Sequence, residues 1–183
     1  MICLQRAALL LVHLPVAIGF LALPACVSDR PANKPEPRPQ PAAIAVGKVW
    51  ISSTPPQDTD INGYFDSVDL TIYLFGENYP ASLLIPGAFT FELVAKLTND
   101  AKPANPPAPL ATWTIPADAA AANTGSSAVG PFYSFRLSLL DRGGDKLPDQ
   151  TADLVVTFTP SASPTAGRPI RETVAVRVGR LRS

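Results

Sequence analysis

The chain has 183 residues, of which 16% are charged and 21 are prolines. Its 15 Lys and Arg side chains balance 15 Asp and Glu, so the formal net charge at pH 7 is zero. Ordinary soluble proteins carry about 25% charged residues and about 5% proline, so this chain is poor in charge and rich in proline. Balanced charge argues against a nucleic-acid-binding protein, which needs a strongly basic face. The length allows one domain with appendages rather than two domains.

The first 25 residues have the pattern of an export signal. A short start with one positive charge, Arg6, precedes an apolar stretch from Ala7 to Leu23. The stretch ends on a small residue, Ala25, as a secretory signal does before its cleavage site.

The sequence Leu23-Pro24-Ala25-Cys26 resembles the lipobox of bacterial lipoproteins. The resemblance implies that signal peptidase II cuts before Cys26 and that the Cys26 thiol carries a diacylglycerol. It also implies that the new amine of Cys26 is acylated by a fatty acid such as palmitate. Because Val27 rather than Asp follows the cysteine, the sorting rule of many Gram-negative bacteria predicts the outer membrane. The alternatives to a lipoprotein signal are an ordinary secretory signal and an uncleaved membrane anchor, the latter because residues 7–26 match the ~20 residues that span a bilayer.

Residues 26–43 are predicted to be the lipidated cysteine and a linker. Alternate residues from Pro35 to Pro41 are prolines, and the segment is otherwise polar. Alternating prolines favour the extended polyproline II conformation and cannot build a core. At ~3.1 Å per residue, about fifteen such residues would hold a domain ~45 Å from the bilayer.

Residues 44–183 are predicted to form an antiparallel β-sandwich of immunoglobulin or fibronectin-like size. Apolar and polar residues alternate in short runs, which places one face of each strand in a core and the other in water. Separators rich in Pro, Gly, Asn and Asp divide the runs. Trp50 and Trp113 are predicted as core anchors, and residues 117–122 as one helical turn. The seven predicted strands are Ile44–Ile51, Val68–Leu74, Phe89–Leu93, Leu110–Ile115, Tyr133–Leu139, Asp153–Thr159 and Val174–Val178.

A short acidic segment between the first two predicted strands has the spacing of a calcium-binding loop. Residues 58–69 fit the pattern D-x-[DN]-x-[DN]-G-x5-[acid] of EF-hand and dockerin-like loops. Ca²⁺ prefers six to eight hard oxygen ligands, and alternate residues of a tight loop point short carboxylates inward. Gly63 is expected to make the sharp turn, and Tyr64 to offer its backbone carbonyl. The predicted ligands are Asp58, Asp60, Asn62, Tyr64, Asp66 and Asp69.

The same acidic segment also fits a plain turn. Position twelve holds Asp69 rather than glutamate, and the flanks predict strands rather than helices. In such a turn, Asp and Asn side chains bond to their own backbone and Gly63 supplies the positive φ. A second acidic loop, residues 141–149, is diluted by Arg142 and Lys146 and is predicted to be solvated.

Arginines cluster near the C-terminus and have two interpretations. Charge on a last, edge strand discourages sheet-to-sheet aggregation. The alternative is an anionic partner such as lipopolysaccharide, a cell-wall polymer or an acidic protein. These residues are Arg168, Arg171, Arg177, Arg180 and Arg182.

The residue inventory favours a binding protein over an enzyme. Cleavage before Cys26 would remove His13, the chain's one histidine, together with Cys3. Nucleophilic triads need a base, usually His, and zinc sites mostly need His or Cys. We therefore expect a non-catalytic module that requires no cofactor beyond the candidate Ca²⁺. Its expected contacts are the membrane, through the Cys26 lipid, and an envelope protein or polysaccharide rather than nucleic acid.

The alternative function is a carboxylate-dependent hydrolase of extracellular glycans. Such an enzyme needs two carboxyl groups about 5–10 Å apart across a cleft. The chain has 15 Asp and Glu residues, but their spacing does not place any two of them across a cleft.

Overall fold

The computed structural model describes residues 39–40, 44–96, 108–147, 150–161 and 168–180. The predicted signal peptide, Cys26 and nearly all of the predicted linker lie outside these residues. Within the described ranges, no helix combines the length and the hydrophobicity of a membrane span.

The described residues form ten strands, one short α-helix and one 3-10 turn at Leu140–Arg142. The helix, α1, is Ala117–Ala121. In chain order the strands are β1 (Val46–Ser53), β2 (Tyr64–Phe65), β3 (Ser67–Gly76), β4 (Ser82–Leu83), β5 (Gly87–Ala95), β6 (Ala111–Ile115), β7 (Thr124–Ser127), β8 (Gly130–Ser138), β9 (Gln150–Pro160) and β10 (Ile170–Arg180).

The strands make two five-stranded antiparallel sheets. The first sheet has the order β1-β3-β8-β7, and β4 pairs with the end of β3. The second sheet has the order β2-β10-β9-β5-β6. This arrangement confirms the all-β, sandwich-like prediction, and each of the seven predicted strands is present.

Three further strands lie in segments that were predicted as connections. β2 and β4 have two residues each, and β7 has four. A run this short does not show a period-two pattern, so pairing with a longer neighbour is what makes it a strand. The single predicted helical turn is confirmed as α1.

The core lies between the two sheets and is rich in aromatic side chains. Phe89 of β5 is fully buried, and its ring centroid lies 5.1 Å from those of Tyr133 and Phe135 on β8. These contacts join the second sheet to the first. Trp113 is buried as predicted, and its indole N–H donates to the backbone carbonyl of Ser138 at 3.1 Å.

Trp50 is not a core residue, and the prediction that it anchors the core is wrong. Its side chain is 47% exposed. A β-bulge between Val46 and Lys48 shifts the register of β1 against β3. The extra residue reverses the alternation, so Val49 turns to the core and Trp50 to solvent.

Tyr133 carries a buried hydroxyl that offers a test of the core. Its O–H donates to the backbone carbonyl of Ile85 at 2.8 Å, and burial raises the pKa of Tyr133 to about 12. Replacing Tyr133 with Phe is expected to lower the free energy of unfolding by about 1 kcal/mol at pH 8, because the carbonyl loses its donor.

The advantage of wild type over Tyr133→Phe should also depend on pH. Because the pKa of Tyr133 is raised from 10.0 to about 12, the stability that its hydroxyl contributes is fully present below pH 10.0. That stability is lost as the pH rises towards about 12. Urea unfolding of both proteins between pH 8 and 12 measures this difference. If the difference in free energy of unfolding between the two proteins stays constant above pH 10, the hydrogen bond assigned to the Tyr133 hydroxyl is contradicted.

Candidate functional site

The acidic segment forms a closed loop between β1 and β3. A bridge between Gln57 and Ser67 holds its base, and the backbone N–H of Asp66 donates to the Gln57 carbonyl at 2.8 Å. Gly63 has a positive φ of 87°, as predicted. Ile61 has a φ of 60°, which a β-branched residue rarely adopts. The loop therefore turns sharply at two nearby positions.

The loop folds around its own carboxylates. Asp58 accepts hydrogen bonds from the backbone N–H groups of Asn62 at 3.1 Å and Gly63 at 2.8 Å. The Asn62 N–H also approaches Asp60 Oδ1 at 3.3 Å, and Asn62 Oδ1 accepts from the Tyr64 N–H at 2.9 Å. These are the side-chain-to-backbone bonds of a turn, and they orient the carboxylates together.

Asp66 is the buried member of the loop. Its Oδ2 accepts from the N–H and the hydroxyl of Thr59, at 2.6 and 2.8 Å, and from the Asp60 N–H at 3.2 Å. Burial raises the pKa of Asp66, but these hydrogen bonds outweigh it and leave the pKa below its usual value. These bonds, together with the neighbouring Ser67 hydroxyl, favour the ionised form of Asp66, and its buried Oδ1 makes no direct hydrogen bond among the described residues.

Asp145 of the second acidic loop also reaches this site, so the prediction that this loop is solvated is wrong for that residue. The side chain is only 3% exposed, and its Oδ2 accepts from Asn62 Nδ2 at 2.7 Å. Gly143 and Gly144 both have positive φ, at 106° and 118°. Their left-handed turn brings Asp145 inward, and this Gly-Gly pair is the sequence signal that could have indicated it.

Three carboxylates converge in what we call the acidic cluster: Asp58, Asp60 and Asp66. One oxygen from each lies within 4.8 Å of the others. Although Asp60 is exposed, desolvation raises its pKa, and the hydrogen bond to Asp58 and the charge of Asp145 raise it further. The cluster thus concentrates negative charge and hard oxygen ligands, which is the chemistry that Ca²⁺ prefers.

Asp69, the predicted closing calcium ligand, lies outside the acidic cluster in this structure. It faces away on β3 and accepts from Arg136 Nε at 2.7 Å and Nη2 at 2.9 Å. Gln57 Nε2 also donates to Asp69 at 3.3 Å. The hydrogen bond and charge of Arg136 hold the pKa of Asp69 below its usual value. The structure places Asp145, from another loop, beside the cluster instead.

The solvent-facing side of the first sheet, here called the outer face, carries a row of three aromatic side chains. Trp50, Tyr73 and Phe132 form this aromatic row. The Trp50 and Tyr73 centroids are 5.2 Å apart with an interplanar angle of 35°, and Tyr73 and Phe132 are 5.7 Å apart. Phe132 covers Gly125 on β7, where a Cβ atom would lie 2.5 Å from the ring.

Polar side chains run parallel to the aromatic row. Ser52 pairs with Thr71, and Thr71 pairs with Ser134, so these hydroxyls form a second row across the sheet. The next pair along β3 and β8 is the ion pair of Asp69 and Arg136. The outer face therefore presents aromatic, hydroxyl and paired charged groups in successive rows.

The C-terminal arginines lie in solvent where the structure describes them. Arg168, Arg177 and Arg180 are exposed, and Arg171 pairs with Glu92 of β5 at 3.4 Å. Arg182 lies outside the described residues. Within the described residues, β10 pairs with β9 along its length and with β2 only at Gly179 and Arg180, and it also lies close to β1. Both interpretations of these arginines stay predictions.

Comparison with known proteins adds no relative: no protein-family model, no curated protein and no solved structure matches the chain. Its function is therefore inferred from the side chains that the fold brings together.

Proposed function

We propose that this chain is a lipid-anchored, non-catalytic protein of the bacterial cell envelope that displays its β-sandwich as a binding module. The observation that carries the proposal is the outer face of the first sheet. On it, Trp50 is 47% exposed at the β1 end of an ordered array of aromatic and polar side chains. Single exposed apolar residues are common, but an exposed tryptophan supported by other rings is typical of a binding surface.

The anchor in this proposal is the lipid on Cys26. The lipobox ends at this residue, and the proline-rich segment that follows separates it from the domain. Val27 after the cysteine supports the outer membrane as the destination. With a formal net charge of zero, the chain is suited to an envelope protein or polysaccharide partner rather than to nucleic acid.

A structural calcium ion is part of the proposal. Asp58, Asp60 and Asp66 would supply carboxylate oxygens, with Asp145 at the neighbouring position. The buried, unpartnered Oδ1 of Asp66 supports a cation there, because a buried ionised oxygen without a partner is costly. Such an ion would neutralise the repulsion among these carboxylates and tie the second acidic loop to the first.

The arrangement of acidic residues favours binding over hydrolysis. Within the described residues, the acidic cluster is the group in which three carboxylates converge, and all three belong to one tight loop. Asp58 and Asp66 accept hydrogen bonds from their own loop's backbone and are committed to holding its shape. A glycosidase pair instead flanks the scissile bond of a bound sugar from two sides, whereas these carboxylates share one tight loop.

The lipid anchor is tested by metabolic labelling. The full chain, expressed in a Gram-negative bacterium fed a palmitate analogue, is expected to carry the label and to fractionate with membranes. Cys26→Ser should abolish the labelling completely, because the acceptor thiol is gone. Cys3→Ser is the matched control, since Cys3 is the chain's only other cysteine and lies in the predicted signal.

Two outcomes of the labelling would contradict the lipid anchor. One is label that persists in Cys26→Ser. The other is an unlabelled wild-type chain that retains residues 1–25 by mass spectrometry, which would favour the uncleaved membrane anchor.

A further inference from the structure

We propose that the outer face of the first sheet binds a neutral, hydroxyl-rich glycan chain, with the Trp50 indole as the platform for one sugar ring. This inference rests on the proposed function, because it names the ligand class of the binding module. It assigns the aromatic row to stacking and the parallel row of hydroxyls to hydrogen bonding.

Trp50 is held in place while much of its surface remains open. Its ring leans on Tyr73, with centroids 5.2 Å apart, and Tyr73 itself is only 8% exposed. The Tyr73 hydroxyl lies 3.2 Å from Ser127 Oγ, which fixes the supporting ring from its far end. A sugar ring presents C–H groups on its faces, and such faces pack against an aromatic ring. A preorganised indole loses little conformational freedom on binding.

The hydroxyl row lies where the edge of a stacked sugar would reach. Residues two apart on a strand share a face and are separated by about 6.5 Å, so Ser52 neighbours Trp50 on β1. Thr71 and Ser134 continue the row on β3 and β8 at the ~4.8 Å spacing of adjacent strands. A hydroxyl is both a donor and an acceptor, as are the groups of a sugar. A glycan lying across the strands would therefore meet matching partners along its length.

The charges on this face select a neutral ligand. Asp69 and Arg136 satisfy each other through two hydrogen bonds, so their charges cancel. Lys48, which pairs with Phe75 beyond the aromatic row, and Glu77, whose side chain lies against Gly47, carry opposite charges at that end of the sheet. The apolar area consists of one well-exposed ring flanked by polar rows, rather than a contiguous apolar patch of several hundred Å² that would mark a protein partner. The face is thus complementary to a neutral polysaccharide rather than to an anionic polymer or an apolar protein surface.

Calorimetric titration of the full chain tests this assignment. The protein, held in a zwitterionic detergent that carries no sugar, is titrated with cellohexaose, xylohexaose and chitohexaose. At least one of these glycans is expected to bind saturably. Trp50→Ala should weaken that binding at least tenfold, and Thr71→Val about fivefold, the equivalent of one neutral hydrogen bond. Leu110→Ala, which truncates a 36% exposed apolar residue beside the second sheet, should leave the affinity unchanged.

Three outcomes would overturn the assignment. The first is that none of the three glycans binds, and the second is that wild type and Trp50→Ala bind with equal affinity. The third is that wild type forms a dimer and Trp50→Ala does not. The dimer would show that a second copy covers this face. Circular dichroism confirms that each variant is folded before titration. Lipid labelling at Cys26 is a separate measurement, so a glycan result of either sign leaves the anchor part of the proposed function to be judged alone.

Discussion

Replacing Phe89 with Ala is expected to lower the free energy of unfolding by about 3–5 kcal/mol, the range for emptying a buried aromatic site. Phe89 is fully buried. Its ring lies 4.9–5.1 Å, centroid to centroid, from Phe158 on the same sheet and from two aromatic rings on the other sheet. Because these contacts join the two sheets, the surrounding side chains cannot close the cavity without moving one sheet.

Urea denaturation monitored by circular dichroism measures this effect. Phe75→Ala is the matched control, because Phe75 lies on the outer face of β3, is only partly buried and undergoes the same chemical change. We expect the control to lose less than half as much stability. Since small domains have about 5–15 kcal/mol in total, Phe89→Ala should lose a large share of the free energy of unfolding. A loss below about 1.5 kcal/mol would contradict the proposed role of Phe89 between the sheets.

Calcium is expected to raise the melting temperature by several degrees. Extracellular calcium modules have Kd values of about 10⁻⁴–10⁻³ M. A concentration 100 times Kd, about 10 mM for the tighter sites, adds about 2.7 kcal/mol of stability when only the folded state binds. For a chain of this size, that corresponds to a shift of about 5–10 °C. Scanning calorimetry of the full chain with Ca²⁺ and with chelator measures the shift.

Single substitutions distinguish the calcium ligands predicted from the sequence, which include Asp69, from those that the structure brings together, which include Asp145. Asp58→Asn and Asp145→Asn should each reduce the calcium shift to less than half, because each removes negative charge at the acidic cluster. Asp69→Asn should leave the shift unchanged, since the Asp69 carboxylate is engaged by Arg136. Asp141→Asn, at an exposed position, controls for net charge. Identical melting with Ca²⁺ and chelator would end the calcium proposal, and a shift abolished by Asp69→Asn would restore the original ligand set.

The pattern of residues along the chain is sufficient to predict seven of the ten described strands and the fold class. A half-buried strand needs apolar side chains on one face only, and this requirement is visible locally as alternation in β3, β5, β8 and β10. The same local logic predicts the turn at Gly63, because the Asp and Asn residues around it bond to their own backbone. It also places Trp113, whose strand has no bulge to alter the alternation.

Long-range pairing decides the features that local patterns miss. Trp50 faces solvent because a bulge shifts β1 against β3, and a bulge depends on the partner strand. Asp69 is drawn to Arg136 because β3 lies beside β8 in this register. Asp145 is 83 residues from Asn62 in sequence, and the fold alone brings the two side chains together. Alternation of apolar and polar residues is a property of one strand and can be read from the sequence. The placement of Asp145 beside the acidic cluster and the rows of the outer face depend on contacts between distant segments, which only the folded chain creates.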